Sequence, residues 1–458
     1  MRHQLLDESV RGRYPSTINK QPATASTAAD VLIVGAGAAG LAAARRLHEA
    51  GASVLVLEGR HRIGGRILTH HVEANQLPLE LGAEFVHGRP PAIFNLIGAS
   101  ELPAIEVCSN HVFSEGGVLR RLDNFRQIVT EVDEQIDLHA DLSYEQFLKT
   151  AQAPAFHKTI AKSYVEGFNA ARAELISAAS VAVADRAAKK IEGEKQFRLP
   201  SGYDSIIREL ARVLPQRCIR LDHIVREVRW KHRKVEARCL CDGEEIRYSG
   251  RCLLATLPLA LLRIRPDEPG GVSFDPPLTA KADALARLRV GDVMKVIIHF
   301  RERFWEDPRV VAKTAPFGFA LCLDAAFPTL WTTNSHLENV LVGWAGGPPA
   351  EKLIGHTPAE VRAAAITSVS KTFGLPTATI ESQLMAIHFH DWSTDRFARG
   401  AYSYPGVGDL KAPQRLAEPL HETLFFAGEA TDFQGANGTV HGAIESGYRA
   451  ARELLSEN

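Results

Sequence analysis

Residues 31–58 read as strand, glycine-rich turn, helix and strand in immediate succession. Val31-Leu32-Ile33-Val34 is a continuous apolar run, as in strands covered on both faces of a parallel sheet. Gly35-Ala36-Gly37-Ala38-Ala39-Gly40 follows, then an alanine-rich helical stretch from Leu41 to Ala50. Gly51 suits the left-handed position that ends such a helix, and Val54-Leu55-Val56-Leu57 is a second buried strand. Parallel strands joined this way take a right-handed crossover. The chain therefore contains a partly parallel sheet flanked by helices, and its class is α/β.

The turn is a G-x-G-x-x-G, a weak signal alone but a strong one between strand and helix. Gly35 permits the tight turn, Gly37 lets backbone approach a pyrophosphate at the helix N-terminus, and Gly40 allows helix to pack on strand. Ala39 belongs to the same stretch. Glu58 ends the second strand 18 positions after Gly40 (58 − 40), close to the spacing of a ribose-binding acid. These residues predict a bound dinucleotide and leave open whether it is NAD or FAD.

Composition narrows the class. Lys+Arg is 53 against Asp+Glu 54, a net charge of −1, whereas a nucleic-acid binder normally shows a basic excess. Hydrophobic residues at 45% and charged residues at 23% exclude a largely disordered chain. Six scattered cysteines read as reduced core thiols; Cys239 and Cys241 fall on one face of a strand rather than around a metal, and no metal site is expected. Residues 1–29 are polar, lack the apolar core of a secretory signal, and read as a flexible extension. No window approaches a membrane span, so a soluble, cytoplasmic protein is expected, monomer or homodimer.

Further along, residues 120–190 are helical in texture, with Ile128, Val132 and Ile136 spaced as one helix face. Glu134, Asp137, Asp141 and Glu145 read as an acidic stripe within 131–145, either a solvated surface or a funnel for cations. Strand-like patches fall at 224–230, 235–240, 251–256, 293–300 and 385–390. A last helix is expected from Val440 to Leu455. Lys295 stands out because it interrupts the apolar run Val293 to Ile298, and a lysine there is seldom buried without a partner.

After Glu58 the chain reads Gly59-Arg60-His61-Arg62-Ile63-Gly64-Gly65-Arg66, with arginine forks suited to phosphate oxygens and glycines suited to a flat ligand. This run resembles the signature of the flavin-dependent amine oxidase superfamily, nearest in motif to polyamine and spermine oxidases. The resemblance continues through Glu80 to Gly88, Leu199 to Leu210, Asp222 to Val228, Phe274 to Leu278, Met294 to Val296, Trp392, Gly400 to Tyr404, Phe426 to Thr431 and Gly438 to Ala443.

That resemblance implies non-covalent FAD, because Ala401 stands where monoamine oxidases carry the flavin-bonding cysteine. It implies cofactor contacts from Gly35, Gly37, Ala39, Gly40, Glu58, Arg60, Arg66, Gly82, Ala83, Glu84, Val225, Trp392, Gly428, Glu429, Thr439 and the Val440 amide. Lys295 matches the lysine that holds a water near flavin N5. Tyr402 matches one wall of an aromatic cage whose other wall aligns with Thr439, and His87 matches a histidine near the substrate nitrogen. Glu84 either favours a cationic substrate or pairs with an arginine. Phe85 stands where amino-acid oxidases place a carboxylate-binding arginine.

The implied architecture is a Rossmann-like FAD-binding domain interleaved with an α+β substrate domain whose mixed sheet is flanked by helices. The FAD domain comprises 30–90, 200–290 and 395–458, and the substrate domain 91–199 and 291–394. The implied activity is oxidation of a small, polyamine-like amine with oxygen as acceptor, yielding hydrogen peroxide. Other flavin oxidoreductases of the superfamily, acting on amino acids, carotenoids or porphyrinogens, remain open, as does a non-catalytic flavin-binding module.

Overall fold

The computed structural model describes residues 27–71, 78–311, 317–333 and 339–456. The expected N-terminal extension falls almost wholly outside the described residues. The βαβ unit is present as β1 (Ala28–Val34), α1 (Ala38–Glu49) and β2 (Val54–Leu57), with β1 and β2 parallel. Helix α1 ends as its sequence predicts: Gly51 adopts φ +86°, and its N–H donates to the His48 carbonyl at 2.9 Å.

Strand β1 lies inside an eight-stranded mixed sheet. Its neighbours are β2 on one side and the long strand Glu244–Ala255 on the other, both parallel to it. Glu244–Ala255 also pairs antiparallel with Lys234–Cys241 and parallel with Leu424–Phe426, so segments far apart in sequence share one sheet. Alternate side chains of β1 serve opposite layers, as a period of two requires. Val31 and Ile33 pack with α1 and with Ile444, Ala451 and Leu454 of the C-terminal helix Val440–Ser456. Leu32 and Val34 pack with Val228, Tyr248 and Phe426 on the other face. Ala92, Ile93, Leu96 and Ile97 of the helix Pro91–Ala99 are buried in the first of these layers. The C-terminal helix lies so close to α1 that a Cβ on Gly447 would stand 2.3 Å from the Ala39 carbonyl oxygen.

A second, seven-stranded sheet has Val293–Phe300 between Leu384–Phe389 and Val340–Gly346, antiparallel to both. Val296, Ile298 and Phe300 face the helix Pro358–Phe373. Ile297 faces Leu79, Leu81, Trp331 and Val342 on the other side. Lys295 shares the parity of Ile297, so strand geometry aims it toward residues 79–85 of the dinucleotide-binding half.

The helical region after residue 120 is realised as Phe125–Asp133, Tyr144–Thr150, Ala155–Phe168 and Ala178–Lys189. The acidic stripe is not. Residues 134–143 lie between two helices, so the four carboxylates share no helix face. Glu134 pairs with Lys189, Glu145 with Lys162, and Asp141 accepts from Ser177. Local hydrogen bonds to turn backbone won over helical continuity here: the Asp137 carboxylate takes the His139 N–H, and Ser143 opens the next helix with a capping box.

Candidate active site

The two halves enclose a cavity of about 400 Å³ lined by both. One end is the glycine turn. Gly35 takes φ +108°, a left-handed value that favours glycine. A Cβ on Gly40 would stand 2.0 Å from the Gly35 carbonyl oxygen, which is the close helix-on-strand packing expected of the third glycine. A Cβ on Gly37 would meet no atom within 4 Å, because that backbone faces the open groove. The two positions predict opposite phenotypes. Gly40→Ala is expected to lower the thermal midpoint measurably, whereas Gly37→Ala folds normally and loses flavin absorbance on gel filtration.

Glu58 ends β2 nearly buried, and burial pushes its carboxyl above the usual range. Its Oε2 accepts from the Ala36 N–H at 2.8 Å and its Oε1 from the Arg60 N–H at 2.9 Å, which ties the ribose-type acid to the turn. Val225 lines the same end at an irregularity in its pairing with Lys234–Cys241. The arginines of this run also meet protein acceptors. Arg60 closes its fork on Asp395 at 2.9 and 2.6 Å, and Arg62 donates to the carbonyls of Ile63, Gly65 and Ile67. Their forks brace the loop, because bidentate protein acceptors already match their geometry.

Arg66 donates to the Ala401 carbonyl at 2.6 Å and to Glu429 at 3.0 Å. The other Glu429 oxygen accepts from Ser403 N–H and O–H and from the Gly438 N–H. Glu429 thus positions Arg66, the Tyr402 strand and the turn before the C-terminal helix. Gly428, at φ +128°, leaves open space where a Cβ would be, a second bare stretch of backbone along the groove. Thr439 caps the helix: its hydroxyl accepts from the Gly442 N–H at 3.0 Å and donates to the Ala436 carbonyl. The hydroxyl at the position that aligns with the second cage wall is thus engaged in capping the helix. The Val440 and His441 amides have no acceptor among the described residues and carry the helix's partial positive charge, with Val440 on the cavity wall.

At the seam lies Lys295, 4% exposed. Its Nζ donates to the Gly82 carbonyl at 2.5 Å and lies 3.3 Å from Glu84 Oε2. Burial pulls its pKa down, against the pull of the Glu84 and Glu80 charges. Glu84 also receives Arg198 and, at 3.0 Å, the Trp331 indole N–H. Burial works to raise its carboxyl, but Arg198 and Lys295 hold it below the usual carboxylate range. Of the two roles sequence left open for Glu84, the structure shows the arginine pairing. Ala83 lines the cavity beside it, and the buried Trp392 donates from its indole to the Leu81 carbonyl at 3.0 Å.

Tyr402 lines the chamber beyond, and its hydroxyl donates to the Phe168 carbonyl at 2.7 Å. His87 packs edge-on against the Phe168 ring at 5.2 Å, and burial pushes its pKa down to about 3, so it is neutral near pH 7. Sequence reasoning missed the rest of the wall, Phe168, Tyr164, Trp331, Trp344 and Arg126, and the Arg198 that pairs with Glu84 behind it. None carries a local motif, and only the packing of the two halves brings them together.

A dinucleotide cradle opening onto an aromatic chamber with a buried lysine at the junction defines a two-domain oxidoreductase architecture. The bare backbone at Gly37 and Gly428 and the open amides of Val440 and His441 fit a flat, anionic cofactor edge. The chain belongs to the family of flavin containing amine oxidoreductases, which matches residues 38–174 and 159–455. The cofactor is accordingly FAD, and Ala401 offers no nucleophile for covalent attachment.

Among similar proteins, "Polyamine oxidase 3" of Oryza sativa subsp. japonica is 29% identical, the match covering 92% of this chain and 88% of that one. "Lysine-specific histone demethylase 1 homolog 1" of the same organism is 27% identical over 97% of this chain but only 54% of its own length. The chain thus spans about half the length of such demethylase relatives. A solved putrescine oxidase bound to putrescine superposes with TM-score 0.77 at 22% identity, covering 94% of this chain and 99% of that one. Cyclohexylamine oxidase from Brevibacterium oxydans superposes with TM-score 0.75, also at 22% identity and the same coverage. Among the described residues no helix is long and apolar enough to cross a membrane.

Proposed function

We propose that this protein is an FAD-dependent oxidase of a small or polyamine-like amine, using oxygen as acceptor. The observation that carries this reading is Lys295, buried at the junction of the dinucleotide cradle and an aromatic chamber. FAD, which the turn at Gly35 and Gly37, Glu58 and the Val440 amide would hold, would supply a two-electron acceptor for the amine's α C–H; the imine product would be hydrolysed by water to an aldehyde and an amine, and oxygen would take up the two electrons as hydrogen peroxide.

The chain supplies position and electrostatics. Tyr402, fixed by its bond to the Phe168 carbonyl, forms one wall against which an apolar amine packs. His87, held neutral, accepts or donates a hydrogen bond without adding charge next to the amine. Among the described residues the carboxylates lining the cavity, Glu58, Glu84 and Glu429, are engaged by protein donors. No free carboxylate among the described residues lines the cavity to take the substrate's proton, so the amine reacts as its free base.

The pH dependence follows. kcat/KM is expected to rise from about pH 6 to 9 as the amine deprotonates, with no limb from His87, which titrates far below this range. A stopped-flow series of anaerobic flavin reduction checks it, and a flat profile would sink the free-base reading. Peroxide release with a panel of mono-, di- and polyamines tests the activity itself; a flavin that no amine bleaches would overturn it.

A further inference from the structure

Arg126 is a charged group on the chamber wall that the proposed reaction leaves unused. It stands in the first turn of the helix Phe125–Asp133. Its Nη1 is 3.3 Å from the Tyr164 hydroxyl, and its guanidinium carbon is 5.8 Å from that ring's centre. Its Nε is buried with no hydrogen-bond partner, and no carboxylate lies within 4 Å of it among the described residues. A guanidinium left like this on a cavity wall lacks the acceptor that its fork geometry suits best.

The neighbouring acids do not fill that role. Arg126 lines both the 400 Å³ chamber and an adjoining outer cavity of about 810 Å³. Asp133 and Asp185 also line the outer cavity, yet Asp133 accepts from Tyr144 at 2.5 Å and burial pushes its carboxyl up to about 8. Burial raises the Asp185 carboxyl as well. Of the inner-chamber groups that feel Arg126, His87 and His111 are pushed down by burial to about 3 and about 4 and stay neutral, and burial raises the Tyr164 phenol. Glu84 is taken by Arg198 and Lys295, so among the described residues it is not a partner for Arg126.

The position of that charge sets where the ligand's anion lies. Tyr402 bonds the Phe168 carbonyl, the Phe168 ring stacks on Tyr164 at 5.2 Å, and Tyr164 touches Arg126. Two aromatic residues therefore separate Arg126 from Tyr402. We propose that Arg126 binds an anionic group of the substrate remote from the reacting amine, so that the preferred substrate is an ω-amino carboxylate or similar amine–anion rather than a polycation. The inference rests on the amine-oxidase reading for its activity arm only.

The test compares three amines of equal chain length with purified holoenzyme: hexylamine, 6-aminohexanoate and 1,6-diaminohexane. The expected kcat/KM for 6-aminohexanoate exceeds that for the diamine by about tenfold or more, and Arg126→Gln reduces this preference by about 10- to 100-fold. Arg126→Lys restores part of it, since the charge returns without the fork. A wild-type preference for the diamine, or a preference untouched in Arg126→Gln, overturns the proposal. Hexanoate titrations followed by tryptophan fluorescence, with Trp331 and Trp344 on the wall, read anion binding without turnover. If no amine is oxidised, the amine-oxidase reading falls. Hexanoate affinity weakened at least tenfold in Arg126→Gln would still uphold the anion site, and equal affinity would refute it.

Discussion

Replacing Lys295 with methionine is expected to slow flavin reduction or reoxidation about 100-fold or more while leaving FAD bound. Methionine matches the length of the lysine stem and suits an apolar strand, so Val293–Phe300 keeps its packing. What disappears is the ammonium, which donates to the Gly82 carbonyl and faces Glu84 at the seam of the two halves. The cradle residues that hold the nucleotide, from Gly35 to Glu58, touch none of these atoms, so the protein remains yellow. Anaerobic reduction and oxygen reoxidation, each followed at the flavin band, tell which half-reaction Lys295 serves. Unchanged turnover would remove it from the mechanism.

The largest effect on stability is expected at Glu84. Its carboxylate is 8% exposed and receives Arg198, Lys295 and the Trp331 indole at once. Removing one partner of a buried ionic cluster strands the others, which costs about 3–5 kcal/mol. Glu84→Ala is therefore expected to lower the free energy of the unfolding transition by about that amount in denaturant titrations. Glu84→Gln keeps the shape and one acceptor oxygen, so it should fall between Ala and wild type. The sign of the pH effect is set by the depressed carboxyl: the cluster's contribution is present at neutral pH and fades as pH falls through the folded-state value, below the ordinary carboxylate range. An Ala variant as stable as wild type would mean that the cluster's desolvation cancels its attraction.

Much of the cradle was legible because its chemistry is local. The roles of Gly35, Gly37 and Gly40 follow from φ and close approach within six residues, and the structure shows a left-handed turn, an open face and a tight contact at those positions. Gly51 and the Val440–Ser456 helix were likewise readable from short-range signals. Spacing was least informative where one residue type serves two purposes. Arg60 and Arg62 look like phosphate forks but grip Asp395 and loop carbonyls. Acids at 134–145 look like a helical stripe, yet they cap turns and pair with Lys189 and Lys162. Spacing alone does not say which acceptor or donor a side chain will meet.

The sequence by itself determined the βαβ unit, the cradle for a dinucleotide, the family, and the oddity of a lysine in an apolar strand. Only the tertiary structure decided what that lysine meets, that Glu84 is spent on Arg198, and that Phe168, Tyr164, Trp331, Trp344 and Arg126 close one chamber. The physical reason is range. Turn geometry and strand parity act over a few residues, whereas the chamber is built from segments running from Glu84 to Tyr402, 44 to 362 residues beyond Gly40 (84 − 40 and 402 − 40), joined only when two sheets bury their facing layers.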